Sequence, residues 1–425
     1  MNKTEEIIRK SLKKRKSSEK KFKYFGFFGI VTAVTFLILI ISSIWLSGKK
    51  AFFSTAIQLN VFFDPKIIDP NSSNNLNDIK NANYRLILKN SLKKEFPGVE
   101  NRRDSIDMLN IISSAEEEKI MKLVMKDISV IGQIIPLWLI TSSKYDVINK
   151  NPNMVKLSES NRLISDKELG WFEQLKKKEA VKFEFNKTFF TSADSTEPEQ
   201  AGIWGAVMGS FFTLFVTLLL SFPIAVAAGV FLEELAPKNR LTDFIEVNIN
   251  NLAAVPSIIF GLLGLAIFLN VMHLPRSAPI VGGMVLALMT LPTIIIATRA
   301  ALKAVPPSIR EAAEGLGATK LQTVTHHVLP LALPGILTGT IIGMSQALGE
   351  SAPLLMIGMV AFIVDIPQSF LDPSTVLPVQ VYLWKSTAAR GFVELTAAGV
   401  MVLLVFLISM NTLAVFIRKK FEKKW

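Results

Sequence analysis

Two groups of residues in this 425-residue chain have the types and spacing to do chemistry, and both lie at the ends of long apolar stretches. In the first, Pro306-Pro307-Ser308 leads into Glu311-Ala312-Ala313-Glu314-Gly315-Leu316-Gly317. The prolines set φ for a helix start, and Ser308 with Glu311 has the S-x-x-E spacing of a capping box, so a short helix is expected from near Ile309. Gly315 and Gly317 tolerate positive φ; the helix should stop there and a second begin near Thr319. The product is a helix-turn-helix elbow, suited to docking another protein or simply to connecting two spans. In the second group, Gln346-Ala-Leu-Gly-Glu-Ser-Ala-Pro-Leu-Leu355 closes an apolar stretch and brings Glu350 and Ser351 to its boundary. A carboxylate there is a functional candidate because an unpaired charge near lipid is costly. A carboxylate that merely faces water at the interface is the plainer reading.

Catalytic constellations are missing from the sequence. There is no G-x-x-x-x-G-K-[ST], H-E-x-x-H or G-x-S-x-G, so the chain is not expected to be an enzyme or to hydrolyse ATP by itself, and no cofactor is implied. His326 and His327 are adjacent and would point about 100° apart on a helix, which does not make a metal site. His273 stands alone in a loop. The chain has no cysteine, which excludes disulfides and thiolate chemistry.

What must position these groups is a set of membrane helices. Half the residues are hydrophobic and the mean hydropathy is +0.39, well above that of a soluble domain. The net charge of +12 sits beside the apolar stretches: residues 1–23 hold ten Lys/Arg against three acids, residues 418–425 hold five against one, and residues 49–200 are nearly balanced at 23 against 21. That distribution follows the positive-inside rule and argues against nucleic-acid binding. Six stretches are long enough to span: 25–47, 203–232, 248–272, 279–298, 331–348 and 395–417. The first lacks a small-x-small cleavage site and reads as an uncleaved anchor. With six spans, the basic arm 1–24, the loops 233–247 and 299–330 and the tail 418–425 share the cytoplasmic side, while 48–202, 273–278 and 349–394 face outward.

The 13-residue run Ile128–Ile140 is too short to span and contains Pro136, so it is assigned to the core of an outward domain over 48–202. Ser114-Ala-Glu-Glu-Glu should open a helix through Asp127, and Tyr84–Leu88 and Val181–Phe185 alternate like strands, giving a mixed α/β domain. Its polar ends, Asp69–Asp78 and Thr191–Gln200, read as linkers. In the fifth span Gly335, Gly339, Gly343 and Ala347 recur every four residues, a small-residue face for close helix packing either within this subunit or against another. Pro223 and Pro292 fall inside the second and fourth spans and are expected to kink them.

The segment Glu311–Pro330 resembles the EAA loop of ABC-importer permeases, with Glu311, Ala312, Ala313, Gly317, Leu329 and Pro330 in the motif positions; His327 stands where an aliphatic residue is usual. Together with Val255-Pro-Ser-Ile-Ile-Phe-Gly261, the Glu350 segment and the final span with its basic tail, residues 201–425 resemble the A-type permease of the bacterial phosphate-specific ABC importer. Thr188–Gly205 and Val247–Arg276 further resemble a variant carrying an extra outward domain. The resemblance implies an all-α permease domain over 203–417 with an inserted domain, in the bacterial inner membrane. It also implies a homologous second permease, an ABC ATPase dimer docked on the loop 306–330, and a periplasmic phosphate-binding protein. Some members carry an arginine in the anion path at the position of Gln346, so the path here is expected among Gln346, Glu350, Ser351, Arg276 and Arg299. Molybdate or sulfate remains an alternative cargo. A membrane sensor is a further alternative, disfavoured because no cytoplasmic segment is long enough for an output domain.

Overall fold

The computed structural model describes residues 3–70 and 75–421, so the last four residues of the basic tail and the centre of the expected linker 69–78 lie outside the described residues. The basic arm and first apolar stretch form one helix, α1 (Lys3–Gly48). A 3-10 turn at Lys49–Phe52 then feeds the long strand β1 (Phe53–Phe62), the centre of a three-stranded antiparallel sheet of order β2-β1-β3. Helices α2 (Tyr84–Glu95) and α3 (Ala115–Lys126) precede β2 (Ile134–Ile140), and α4 (Ser143–Lys150) and α5 (Asp166–Lys177) precede β3 (Val181–Phe185). One sheet face and these helices bury a common core of Ile57, Leu59, Val61, Ile87, Leu92, Ile120, Leu139, Tyr145 and Phe172. The domain is mixed α/β, as the sequence indicates.

One strand expectation fails. Tyr84–Leu88 opens α2, because Asn83 accepts the Leu86 N–H at 3.0 Å as an N-cap and the buried Ile87, Leu88, Ser91 and Leu92 recur at helical spacing. Five residues of alternating character fit either period, and the cap decides. Ile128–Ile140 does enter the domain core, with Pro136 tolerated because β2 pairs on one side only. The short helix α6 (Lys187–Thr191) follows β3.

Among the described residues five helices are long and apolar enough to cross a membrane, and a bent pair would make a sixth. Beyond α1 the single spans are α7 (Trp204–Val230), α10 (Pro279–Lys303), α13 (Leu329–Gly349) and α16 (Gly391–Phe421). The stretch 248–272 is instead divided between α8 (Arg240–Ala253) and α9 (Ser257–Gly264), the latter continuing as a π-helical stretch to Val271, with 100° between the two halves. Pro256 has no N–H to donate and disfavours helical Val255, so the chain breaks there. α8 carries Arg240, Asp243 and Glu246 and buries none of its residues, so its apolar end is one stripe of an amphipathic helix. Hydropathy alone does not register such a break. Pro223 and Pro292 lie inside α7 and α10, joined by Pro334 inside α13.

Between α10 and α13 lie α11 (Pro307–Gly315) and α12 (Lys320–Thr323), which form the elbow; between α13 and α16 lie α14 (Ala352–Met356) and α15 (Leu377–Ser386). Leu354, Ile357, Met359, Val376 and Val379 join Val281, Val285 and Leu286 of α10 in one core, so much of 349–394 folds back onto the spans.

The segment 191–200 is not a free linker. Ser143 N–H donates to Glu199 at 3.1 Å, the Trp384 indole N–H donates to Asp194 at 2.8 Å, and Pro198 fills the space beside Gly391 at the start of α16. Lys150 of the outer domain, only 7% exposed, pairs with Asp146 and with Glu394 of α16. The domain is thereby tied to the last span as well as to the first.

Candidate functional site

The elbow is built by two end-to-end helix devices. Pro306, in an extended conformation, is the N-cap of α11 and Pro307 its first residue. The expected Ser308–Glu311 capping box therefore does not form: with the start two residues earlier than Ile309, Ser308 is already inside the first turn. α11 ends in a Schellman arrangement, the Gly317 N–H donating to Glu314 O at 2.9 Å and the Ala318 N–H to Ala313 O at 3.1 Å. That geometry requires a left-handed residue, and Gly317 has φ of +89°. Gly315 stays helical. Thr319 then caps α12 in a reciprocal capping box with Gln322, a T-x-x-Q signal present in the sequence. From Lys320 the chain runs helically through the π-stretch Val324–Val328 into α13 and on to Gly349.

What the elbow presents is exposed. Glu311 and Ala312 face solvent, Ala313 is buried toward the bundle, and Leu316 at the tip is 92% exposed. Leu321 is exposed beside it, His326 and His327 lie on the outer side of the rod, and Leu329 and Pro330 are half-buried where α13 begins.

An ionic network holds this elbow to the bundle. Arg310 donates Nε and Nη2 to the two carboxylate oxygens of Glu234, and also reaches the carbonyls of Leu302 and Val305 at the end of α10 at 2.9 and 2.8 Å. A planar guanidinium matches a carboxylate in this two-pronged fashion. Arg299 on α10 bridges Glu233, which follows α7, and Glu246 of α8, while Lys303 also meets Glu233 at 3.5 Å. The fork of Arg299 that could receive an oxyanion is thus engaged by two carboxylates, and Arg299 belongs to this brace. Glu233, Glu234 and Glu246 were not singled out by sequence reasoning. The signal for them was two adjacent glutamates at the end of a long apolar run.

The second group forms a compact hairpin. Glu350 is the C-cap of α13, half-buried, and Ser351 starts α14; Gln346 is exposed one turn earlier. α14 packs on α9, where a Cβ on Gly261 would lie 2.7 Å from the Pro353 Cα, so the Val255–Gly261 segment and the Gly349–Leu355 segment meet through a glycine. Arg276 is exposed in the loop before α10 and makes no ion pair among the described residues. That loop is pinned by Ser277, which donates to Gly358 O at 2.6 Å. The Glu350 hairpin and the elbow occupy opposite ends of α13.

The small-residue face of α13 packs within this subunit. Cβ atoms added at Gly335 and Gly339 would lie 2.7 and 2.1 Å from the Ala301 and Ala297 side chains of α10, Gly343 lies against Ile294, and Ala347 is buried.

A bundle of five to six apolar helices, with an exposed elbow running into one of them and a small α/β domain inserted after the first, defines a multi-pass inner-membrane protein of the ABC-permease class. Residues 221–425 match the model of the binding-protein-dependent transport system inner membrane component, and residues 9–159 match a domain of unknown function, DUF3333. The chain is 37% identical over 168 residues to the probable ABC transporter permease protein YqgI of Bacillus subtilis, covering 39% of this chain and 56% of that protein. It is 30% identical over 241 residues to the phosphate transport system permease protein PstA of Haemophilus influenzae, covering 55% and 81%, and 33% identical over 201 residues to PstC of the same organism, covering 42% and 63%. It thus spans little more than half the length of YqgI. The chain belongs to the binding-protein-dependent ABC permease family and is homologous to the phosphate permease PstA.

Proposed function

We propose that this chain is one of two permease subunits of an ATP-driven importer of inorganic phosphate. The elbow 306–330 docks on an ABC ATPase dimer, and a homologous second permease completes the pathway. A periplasmic phosphate-binding protein delivers the anion to the face bearing the outer domain, and both termini of this chain are cytoplasmic. The observation that carries the reading is the elbow itself: a rigid, braced turn offering Leu316, Glu311 and Ala312 to solvent, continuous with a span. ATP-dependent closure of the ATPases would tilt that rod and shift the Gly349–Leu355 hairpin at its far end. The names of the PstA and PstC relatives support phosphate as cargo. Arg276, Gln346, Glu350 and Ser351 form the remaining candidate anion path, and Arg276, the set's cation, makes no ion pair among the described residues.

Because the chain has no cysteine, Leu316→Cys can be cross-linked to the ATPase in the assembled complex. Cross-linking that depends on nucleotide state supports docking at the elbow. A Leu316→Cys chain that co-purifies with the ATPase yet never cross-links, while cysteines elsewhere do, removes the elbow from the interface.

A further inference from the structure

We propose that the membrane-proximal edge of the outer domain, formed by Phe53, Phe183, Phe185 and Phe190, is an interfacial anchor that inserts into the headgroup and upper acyl region of the bilayer crossed by α1. These four side chains are 48, 54, 52 and 37% exposed, whereas the domain's other described aromatic side chains, such as Phe63, Tyr145 and Phe172, are buried or partly buried. Phe53, Phe185 and Phe190 form a connected patch, with Phe183 two residues before Phe185 on the same face of β3. The Phe53 and Phe185 rings meet edge-on at 6.3 Å, and Phe185 stacks on Phe190 at 5.6 Å.

Position identifies the occupant. The apolar run of the first span ends at residue 47, the 3-10 turn Lys49–Phe52 follows α1, and Phe53 is the next residue. β3 is antiparallel to β1 with Phe185 opposite Phe53 and Phe183 opposite Thr55, so Phe185 lies level with the first residue of β1 and Phe183 only about 7 Å further out. The patch therefore follows closely in the chain on the last turn of α1, which exposes Trp45 and Leu46. Further along the same sheet face the cover changes to protein: Thr55 is fully buried and donates to Asp146 of α4. The exposed Lys49 and Lys187 flank the rings, as lysines do where their stems lie in apolar surface and their ammonium groups reach phosphate headgroups. Aromatic side chains at this depth are characteristic of membrane interfaces. The sheet would then stand on the bilayer at a fixed tilt, held by α1, by the ties to α16 and by this edge.

The test uses the full chain, in which any introduced cysteine is unique. Phe185→Cys, Phe190→Cys and, as a reference on the same sheet, the exposed Asn60→Cys are spin-labelled and reconstituted in phosphatidylcholine/phosphatidylglycerol vesicles. Collision with molecular oxygen, which partitions into lipid, is compared with collision with a water-soluble nickel complex. Labels at 185 and 190 should be about fivefold less accessible to the nickel complex than the label at 60 while remaining open to oxygen, since polar complexes are excluded from hydrocarbon. Equal nickel accessibility at all three positions would overturn the proposal. So would shielding of 185 and 190 from both reagents, which would mean that protein rather than lipid covers the patch.

Discussion

Gly317 sets the turn of the elbow. Its φ of +89° excludes a β-branched residue although a Cβ there would meet nothing within 4 Å, so the cost of substitution is conformational alone. Gly317→Val should cost about 1–3 kcal/mol and misdirect Leu316, with ATPase co-purification and transport falling while the chain remains in the membrane. Gly317→Asn should be milder because asparagine visits this region. Gly315→Ala is the contrast: it sits in open space on a helix and should be neutral or stabilise α11 by about 0.5–1 kcal/mol. Gly339→Leu makes a different test. Its first atom already collides with Ala297, so it should destabilise the isolated chain in detergent by about 1–3 kcal/mol through separation of α10 and α13, whether or not a second permease is present. A normal melting temperature in the isolated chain would place that face elsewhere. Both glycine roles could be read from spacing, but which glycine turns left-handed, and which neighbour the stripe meets, depended on partners distant in sequence.

At the scale of elements, the joints between helices matter more than the helices. Glu234→Gln weakens the two-pronged bond to Arg310 that fastens α11 to the end of α7; loss of such charged hydrogen bonds should cost about 1.5–3 kcal/mol and loosen the elbow, read as faster amide exchange in residues 307–318. The joint between outer domain and core is pH-sensitive. Burial, followed by the neighbouring Glu197 carboxylate, raises the Glu199 pKa to about 7. An acid raised in the folded state holds its proton there while the unfolded chain has lost it, so stability falls as pH rises from about 4.5 to 7 and is level above. Glu199→Gln should flatten that slope in thermal melts taken across this range; an unchanged slope would show that Glu199 does not control it. The sequence made most elements legible, including the outer-domain strand Val181–Phe185 and five of the spans. It misjudged those whose fate was set by a single local group: the Asn83 cap that turned Tyr84–Leu88 into helix, and Pro256, which bends the 248–272 stretch by breaking it. The brace of Arg299 and Arg310 was hidden because its glutamates lie 53–76 residues away along the chain.

The whole molecule combines a permease bundle, an exposed elbow at one end of α13, the Glu350 hairpin at the other, and an α/β domain fixed to the first and last spans. The outer domain is charge-balanced and contains neither the elbow nor the hairpin, and we propose that it is an accessory to transport. Replacing residues 53–191 by a flexible linker should reduce uptake at limiting phosphate and spare it at saturating phosphate; equal loss at both, in a chain that inserts and assembles, would make the domain part of the pathway. The most direct test of phosphate import coupled through the elbow is uptake of radiolabelled phosphate by cells expressing the chain with its ATPase, second permease and binding protein. Uptake should be energy-dependent, unaffected by excess sulfate or molybdate, and reduced by Gly317→Val with the protein still in the membrane. Competition by sulfate or molybdate would contradict the cargo, and undiminished uptake by the Gly317→Val chain would contradict the coupling.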